Sequence, residues 1–311
     1  MNWQKKGQIY KSKGKFEWDR THAQAASAIK LNNNRIRIYF STRDKKNRSR
    51  PTFIDVSSNN LKKVVYIHDE PILELGCAGS FDDSGIMPTW VLRNKDEIWL
   101  YYIGWNVRNT VPYHNSIGLA YSEDGINFEK KFEGPIIHRN NLEPYFTSTP
   151  CVLKEDNRWT CWYLSCTNWE EINGRLEPFY HIKYAHSSDG INWKQNGNIA
   201  IDYKDKYEGG ISRPTVILDN GIYKMWYSYR KKTNYRKNKN FSYRIGYAES
   251  KDGVSWIRKD ELAGIDVSNS GWDSEMIEYP YVFKHNEKLI MIYNGNKFGK
   301  SGFGYAELSE R

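Results

Sequence analysis

Apolar and polar residues alternate along much of this chain with a period of two, which sends successive side chains to opposite faces of a β-strand. The clearest run is Ile245-Gly246-Tyr247-Ala248-Glu249-Ser250-Lys251-Asp252-Gly253-Val254-Ser255-Trp256. It is a short strand, an Asp-Gly turn whose glycine can take positive φ, and an aromatic that covers the turn. Nearly the same text stands at Ile117 to Phe128 and at Ile182 to Trp193, a truncated copy at Phe303 to Glu307, and a degenerate one at Pro51 to Ser57. Five outer strands are therefore predicted.

Between these copies lies a second repeat, a hairpin whose second strand ends in aromatics. Its copies are Ala26-Ser27-Ala28-Ile29 to Phe40, Pro88-Thr89-Trp90-Val91 to Tyr102, Pro150-Cys151-Val152-Leu153 to Tyr163, Pro214-Thr215-Val216-Ile217 to Tyr227 and Pro280-Tyr281-Val282-Phe283 to Tyr293. The hairpin turns are short and polar, from Asn32-Asn33-Asn34 through Asn94-Lys95-Asp96, Glu155-Asp156-Asn157 and Asp219-Asn220-Gly221 to His285-Asn286-Glu287. Four of the five hairpins open on Pro, a residue tolerated at the first position of a strand.

Hairpin plus outer strand makes three strands per unit, and the linking segments can supply a fourth. A four-stranded meander repeated about every 60 residues reads as a propeller blade. The expectation is an all-β, five-bladed β-propeller forming one domain over residues 1–311. A β-sandwich would give no reason for five alike units. Closure of the ring requires the N-terminal segment, around Gly7 to Lys11 with Ile9-Tyr10, to complete the short last unit. Because a hairpin's first strand begins where its second ends, the long segments after each second strand gather at one end with the residues before each Pro. Function belongs at that end.

Composition changes the picture in three places. The net charge of +9 admits an anionic partner, but much of the excess lies in two loops, Arg43 to Arg50 and Arg230 to Lys239, and no helical or zinc-based DNA-reading motif is present. Sequence-directed nucleic-acid binding is not expected. Cys77, Cys151, Cys161 and Cys166 lack C-x-x-C spacing, and the chain shows neither a leader-like apolar region nor a long uncharged apolar run. The expected location is cytoplasmic, with no membrane span. The seven histidines are scattered without ligand spacing, so no metal and no cofactor are expected; nothing speaks to oligomeric state.

The candidate chemistry is acidic. An aromatic followed by an acid precedes four of the five inner strands, at Trp18-Asp19, Phe81-Asp82, Tyr207-Glu208 and Trp272-Asp273. Such regularity reads as a structural device, since a reaction needs unequal residues in unequal roles. Asp83, Glu275 and Glu278 break the repeat. Glu278 stands two residues before its Pro, where the other blades carry Gln24, Ile86, Ser148 and Ser212, and Arg213 is similarly singular one residue before Pro214.

At these residues the chain resembles the five-bladed β-propeller glycosidases of glycoside hydrolase families 43, 32 and 130. The resemblance rests on the three S-x-D-G-[IV]-x-[WF] edges, the Pro-led inner strands, Ser80-Phe81-Asp82-Asp83-Ser84-Gly85, and Tyr293-Asn294-Gly295-Asn296 followed by Gly302-Phe303-Gly304-Tyr305-Ala306. It spans nearly the whole chain and is more specific for fold than for reaction. It implies acids near the starts of inner strands, one protonated to assist the leaving oxygen and one ionised to activate water or attack. On that pattern Glu278 is the acid and Asp83 the base, with Glu208 or Asp19 as a tuning acid. Blade one departs from the family pattern, with Gln24-Ala25-Ala26 where an Asp-Pro is often found and only Asp19, near His22, upstream. Trp105, Trp169 and Tyr279 are candidate sugar platforms, and Arg43, Arg213 and Arg230 candidate clamps for a carboxylate or phosphate. Glu275, His22 and Asn294 complete the expected substrate-binding set. The expected substrate is an intracellular, anionic sugar or glycan intermediate. Glycosyl transfer to phosphate or another acceptor is the alternative, and a non-catalytic sugar-binding propeller is a third reading, distinguished by lacking two carboxylates on one cavity.

Overall fold

The computed structural model describes residues 1–155 and 158–309; Asp156 and Asn157 of the third hairpin turn lie outside them. Twenty strands form five antiparallel blades. Blade one holds β2 (Thr21–Asn32), β3 (Arg35–Arg43), β4 (Ser49–Ser57) and β5 (Asn60–Ile67). Blade two holds β6 (Gly85–Asn94), β7 (Glu97–Val107), β8 (Tyr113–Ser122) and β9 (Glu129–Lys130), and blade three β10 (Thr147–Glu155), β11 (Arg158–Ile172), β12 (Arg175–Ser187) and β13 (Ile199–Ile201). Blade four holds β14 (Glu208–Asp219), β15 (Ile222–Lys231), β16 (Arg244–Ser250) and β17 (Ile257–Arg258). Blade five holds β18 (Glu278–His285), β19 (Lys288–Asn294) and β20 (Phe303–Leu308), and its outer strand is β1 (Trp3–Tyr10) from the chain start. β1 pairs antiparallel with β20 from Trp3↔Leu308 to Tyr10↔Phe303. The expected closure is therefore made, by a longer strand than the sequence marks. The inner strands β2, β6, β10, β14 and β18 contact one another in a closed ring around the axis. Among the described residues no helix is long and apolar enough to cross a membrane.

The repeated S-x-D-G turn is an interblade latch. In each copy Ser122, Ser187 or Ser250 accepts the Gly N–H, and Asp124, Asp189 or Asp252 accepts the next two backbone N–H groups. Burial works against the charge on Asp189, yet these N–H bonds and the Asn192 amide pull its carboxyl down to about 2. The glycine carbonyl then accepts from the middle strand of the preceding blade: Tyr39 Oη to Gly125 at 2.7 Å, Tyr101 Oη to Gly190 at 2.9 Å, and Trp162 Nε1 to Gly253 at 2.7 Å. Blade five has no such turn, because its outer strand comes from the other end of the chain. Trp226, the corresponding residue of blade four, instead packs edge-on against Trp3 and leaves its Nε1 unpaired.

The aromatic-acid repeat is likewise structural. Tyr102 donates to Asp82 at 3.2 Å and Tyr293 to Asp273 at 3.0 Å, while Lys130 and Lys5 bring the countercharges. In blade four Tyr227 donates to Asp260, and Arg258 bridges Asp260 to Glu208. A fifth member without the sequence signature is Glu143, which accepts from Tyr163 and Ser165. Blade one has Phe40 in place of the tyrosine, and Asp19 takes its hydrogen bond from Ser12. The glycine of the I-G-x-A strand makes room for these tyrosines: a Cβ on Gly118 would sit 2.4 Å from the Tyr102 ring.

One local expectation is corrected. The prolines do not open the inner strands; β18 starts at Glu278 and β14 at Glu208. Pro88 stands before its register break, at Pro88/Trp90, whereas Pro150, Pro214, Pro280 and, in blade one, Ala26 lie within breaks at Ser148/Cys151, Ser212/Thr215, Glu278/Tyr281 and Gln24/Ser27. The residue before each of these last four is left-handed: Thr149 (φ 38°), Arg213 (51°), Tyr279 (56°) and Ala25 (55°). A bulge excuses the missing proline N–H and re-aims the neighbouring side chains.

Candidate functional site

The bulges form the floor of a cavity of about 570 Å³ at the long-loop end. Floor positions come from every blade: Gln24 and Ala25, Met87, Ser148 and Thr149, Ser212, and Tyr279. Polar atoms hold the bulges in place. Tyr279 N–H donates to Ser228 Oγ at 2.8 Å, Arg213 N–H to Thr149 Oγ1 at 3.1 Å, and Ala25 N–H to Asn294 Oδ1 at 3.0 Å.

The walls are aromatic and cationic. Arg43, at the end of β3, donates to Gln24 Oε1 at 3.1 Å and to the Asn47 carbonyl at 3.0 Å, with its guanidinium 5.5 Å from the Trp105 ring centre. Trp105 is fixed by its own bond to Ser49 Oγ at 3.0 Å. Across the cavity Arg236 makes a bidentate pair with Glu177 at 2.9 and 3.1 Å, and Arg175 stands 3.5 Å from the same carboxylate. Lys46, Tyr113, Phe146, Tyr180, Tyr235, Tyr243 and Phe298 also line the space, and among the described residues no Asp or Glu does. His22 lines it too, hydrogen-bonded to Thr21 Oγ1 at 2.8 Å. Burial, then Arg43 and Lys300, push its imidazole down to about 4, so it is neutral at pH 7.

The expected facing pair of carboxylates is not formed. Asp83 lies in the loop before β6, where its carboxylate accepts from Gly79 N–H at 2.9 Å and Ser84 Oγ at 2.7 Å, outside the cavity lining. Glu208 is committed to Arg258 at 2.8 and 2.9 Å, and Asp19 to Ser12. Burial raises the Asp19 carboxyl, but it too lies away from the cavity. Glu278 occupies the same register in β18 as Gln24, Ser148 and Ser212, all floor residues, yet it is fully buried. Neither of its oxygens has a hydrogen-bond partner among the described residues. Burial drives its carboxyl well above the ordinary carboxylate range, opposed by Arg236.

Of the expected binding residues, Arg43, Trp105, Tyr279 and His22 meet in the cavity, and the others do not. Arg213 is fully buried and turns down the axis, where it donates to the Ala26 carbonyl at 2.8 Å and to the Thr89 carbonyl, tying blades one, two and four. Arg230 is fully buried behind the wall, bonded to the Pro178 carbonyl at 2.6 Å and to the hydroxyls of Tyr180 and Tyr243. Trp169 packs against Tyr113 and Phe146 from behind. Asn294 is a buried strut donating to the carbonyls of Ala23 and Gly302. Glu275 lies on a neighbouring groove. Arg175 went unmarked in the sequence, and Lys46 and Arg236 were marked only as members of the two basic loops.

Arg43, Arg213 and Arg230 share one property. Each is bonded to carbonyl, amide or hydroxyl oxygens, and none has a carboxylate within ion-pairing distance among the described residues. A buried cation without a counterion is costly; Arg213 lies on the axis and Arg230 behind the wall, while Arg43, half-buried, lines the cavity itself. An anion bound there would supply the missing charge.

No family model matches the chain. Two uncharacterized proteins of Mycobacterium tuberculosis are each 38% identical to it over 308 residues, which is 99% of this chain and 99% of theirs. Among solved structures the chain is similar to a thermostable family-43 glycoside hydrolase, with a TM-score of 0.65, 18% identity, and coverage of 92% of this chain and 88% of that one. It is also similar to a structure from the family-130 mannoside phosphorylases, a family described as containing glycoside hydrolases that target β-1,2 mannosidic linkages in Candida mannan. That match has a TM-score of 0.68 and 15% identity over 99% of this chain and 94% of the other. At such identities the likeness is one of fold: the five-bladed propeller is shared with glycoside hydrolases and with the family-130 phosphorylases.

Proposed function

The chain belongs to one family with the two uncharacterized mycobacterial proteins, and from that premise and the chemistry of the cavity we propose that it transfers glycosyl groups between a sugar hydroxyl and a phosphate-type anion. The observation that carries this reading is a cavity lined by Arg43, Lys46, Arg175 and Arg236 and, among the described residues, by no carboxylate, with one fully buried acid, Glu278, at the floor register, its carboxyl pushed up by burial. Hydrolysis of the two-carboxylate kind needs an ionised base or nucleophile facing the acid across the sugar. Phosphorolysis does not, because the anion is itself the nucleophile and needs only to be held.

In the cleavage direction an oxygen of hydrogen phosphate forms the bond to the anomeric carbon while the glycosidic C–O bond breaks. The departing oxygen takes the Glu278 proton and leaves as an alcohol. The glycosyl phosphate then returns its acidic proton to the Glu278 carboxylate, which closes the balance. The cationic walls hold and orient the anion, and Trp105 and Tyr279 offer apolar surface to the sugar ring. The cytoplasm is the proposed location; all four cysteines are free, in keeping with a reducing compartment.

The test is a panel of oligosaccharides and aryl glycosides incubated with and without phosphate, with glycosyl phosphate detected by ³¹P NMR. Phosphate-dependent turnover that Glu278→Gln abolishes is expected. Turnover that proceeds equally in the absence of phosphate would refute it. The full burial of Glu278 favours one other reading, a sugar-binding propeller without catalysis. Saturable binding of an anionic sugar with no turnover of any panel member would establish that reading instead.

A further inference from the structure

A second groove, of about 280 Å³, adjoins the cavity between blades four and five and shares three of its walls, Tyr235, Arg236 and Phe298. Arg236 stands at the junction, its guanidinium 4.7 Å from the Tyr235 ring centre and 5.2 Å from that of Phe298. Beyond it the groove presents Lys237, Lys239 and Lys297, all exposed, and one acid, Glu275. None of the three lysines has a carboxylate within ion-pairing distance among the described residues, Glu275 included.

The groove is built rather than left over. Lys297 and Phe298 are both left-handed, with φ 58° and 56°, a conformation that costs on the order of 1–3 kcal/mol for each non-glycine residue and persists only where the surroundings enforce it. Here Asn296 Oδ1 accepts Glu275 N–H at 2.8 Å, Lys300 N–H closes the turn on the Lys297 carbonyl at 3.1 Å, and Gln24 Nε2 donates to the Phe298 carbonyl at 2.5 Å. The same Gln24 holds Arg43 through its other amide atom. One side chain therefore couples the cationic wall of the cavity to the wall of the groove. A solvated lysine run needs no such scaffold.

We propose that this groove binds a phosphate group on the part of the substrate that projects from the cavity, so that the substrate class is a glycoside with a phosphorylated aglycone. Lysines act as point charges suited to a phosphate's several oxygens, whereas a planar carboxylate favours a forked guanidinium. The proposal rests on the reading that the cavity holds the sugar and the reacting anion. A phosphosugar, a nucleotide and a lipid phosphate all carry the required group.

The test counts inorganic phosphate bound to the full-length protein at low ionic strength by equilibrium dialysis. Wild type is expected to bind two equivalents. The Lys237→Ala/Lys239→Ala/Lys297→Asn variant, with Asn chosen because it tolerates positive φ, should keep only the cavity equivalent. Arg43→Ala/Arg175→Ala should keep only the groove equivalent. Glucose 6-phosphate, uridine monophosphate and a short alkyl phosphate are then used as competitors, and the one that displaces the groove equivalent identifies the source. A single equivalent in wild type, two equivalents retained by the lysine variant, or no displacement by any competitor would overturn the proposal. Absence of phosphate-dependent turnover with both equivalents bound would strike the proposed reaction and leave the groove standing.

Discussion

Glu278 makes a prediction whose sign and slope follow from its surroundings. It is fully buried, both oxygens lack partners among the described residues, and burial raises its carboxyl well above the ordinary range. The folded protein therefore holds this proton more tightly than the unfolded chain does. A group of that kind contributes stability that is complete below the unfolded value, about 4.3, and is lost as pH rises towards the folded one. The loss amounts to about 1.4 kcal/mol per pH unit throughout that window. Glu278→Gln has nearly the same shape and cannot ionise. Near pH 4 the two proteins should differ only by a constant, the cost of the buried amide set against that of the buried acid. As pH rises above the unfolded value the variant should gain on wild type at that slope until the folded carboxyl itself ionises. Urea unfolding of both proteins at intervals of pH, followed by two probes to check that the transitions coincide, gives the difference directly. Every other titrating group cancels in that difference. A flat difference from pH 4 to pH 8, or a variant that falls behind wild type as pH rises, would show that Glu278 ionises in the folded protein and would remove it as a proton donor.

Three further outcomes are expected. Tyr102→Phe takes the hydroxyl from the buried Asp82 and should cost about 1.5–3 kcal/mol in urea unfolding, whereas an unchanged midpoint would mean that Ser80 and Lys130 satisfy that acid without it. Removal of residues 2–10 strips the outer strand from blade five and uncovers the edge of β20, so cooperative unfolding monitored by circular dichroism should be lost; an unaltered melt would show that closure contributes nothing. Arg43→Ala should weaken binding of an anionic sugar or phosphate by roughly tenfold, about 1.4 kcal/mol, and should flatten its dependence on salt, with equal affinity in calorimetry returning Arg43 to a purely structural role.

The fold was legible because its repeats are physical devices as well as text. The S-x-D-G turn recurs where a blade is latched to the one before it, and the paired aromatic and acid marks the buried acid in front of an inner strand in four of the five blades. What could not be read was direction. Arg213 and Tyr279 hold the same place, one residue before a Pro, and both are left-handed, yet Tyr279 faces the cavity while Arg213 turns down the axis to carbonyls of two other blades. Nothing local distinguishes them; the choice is made by residues far away in the chain. Arg236 was hidden for the opposite reason. It sits in a run of basic residues that reads as a solvated face, and the carboxylate that fixes it, Glu177, is 59 residues away. Asp83 misled because it breaks a repeat, and it does so simply by tying its own loop.

The same accounting explains why the site is uneven. Each repeated acid is consumed within its blade by a hydroxyl, a lysine or an arginine, as Asp82, Glu143, Glu208 and Asp273 are. Such acids are fixed and fully engaged by their partners, which does not suit a group that must give up a proton and take it back. In and behind the cavity the balance is reversed: among the described residues Arg43, Arg213 and Arg230 have no carboxylate partner, and Glu278 has no hydrogen-bond partner. In a fold that elsewhere satisfies its buried charges, these two deficits are complementary, because a bound anion would neutralise the cations and, by its own charge, hold the Glu278 proton more firmly until the departing oxygen claims it. A neutral sugar would relieve neither deficit, and a cationic one would worsen the first. The shape of the cavity admits a sugar, but it is the unpaired charge around it that selects which kind.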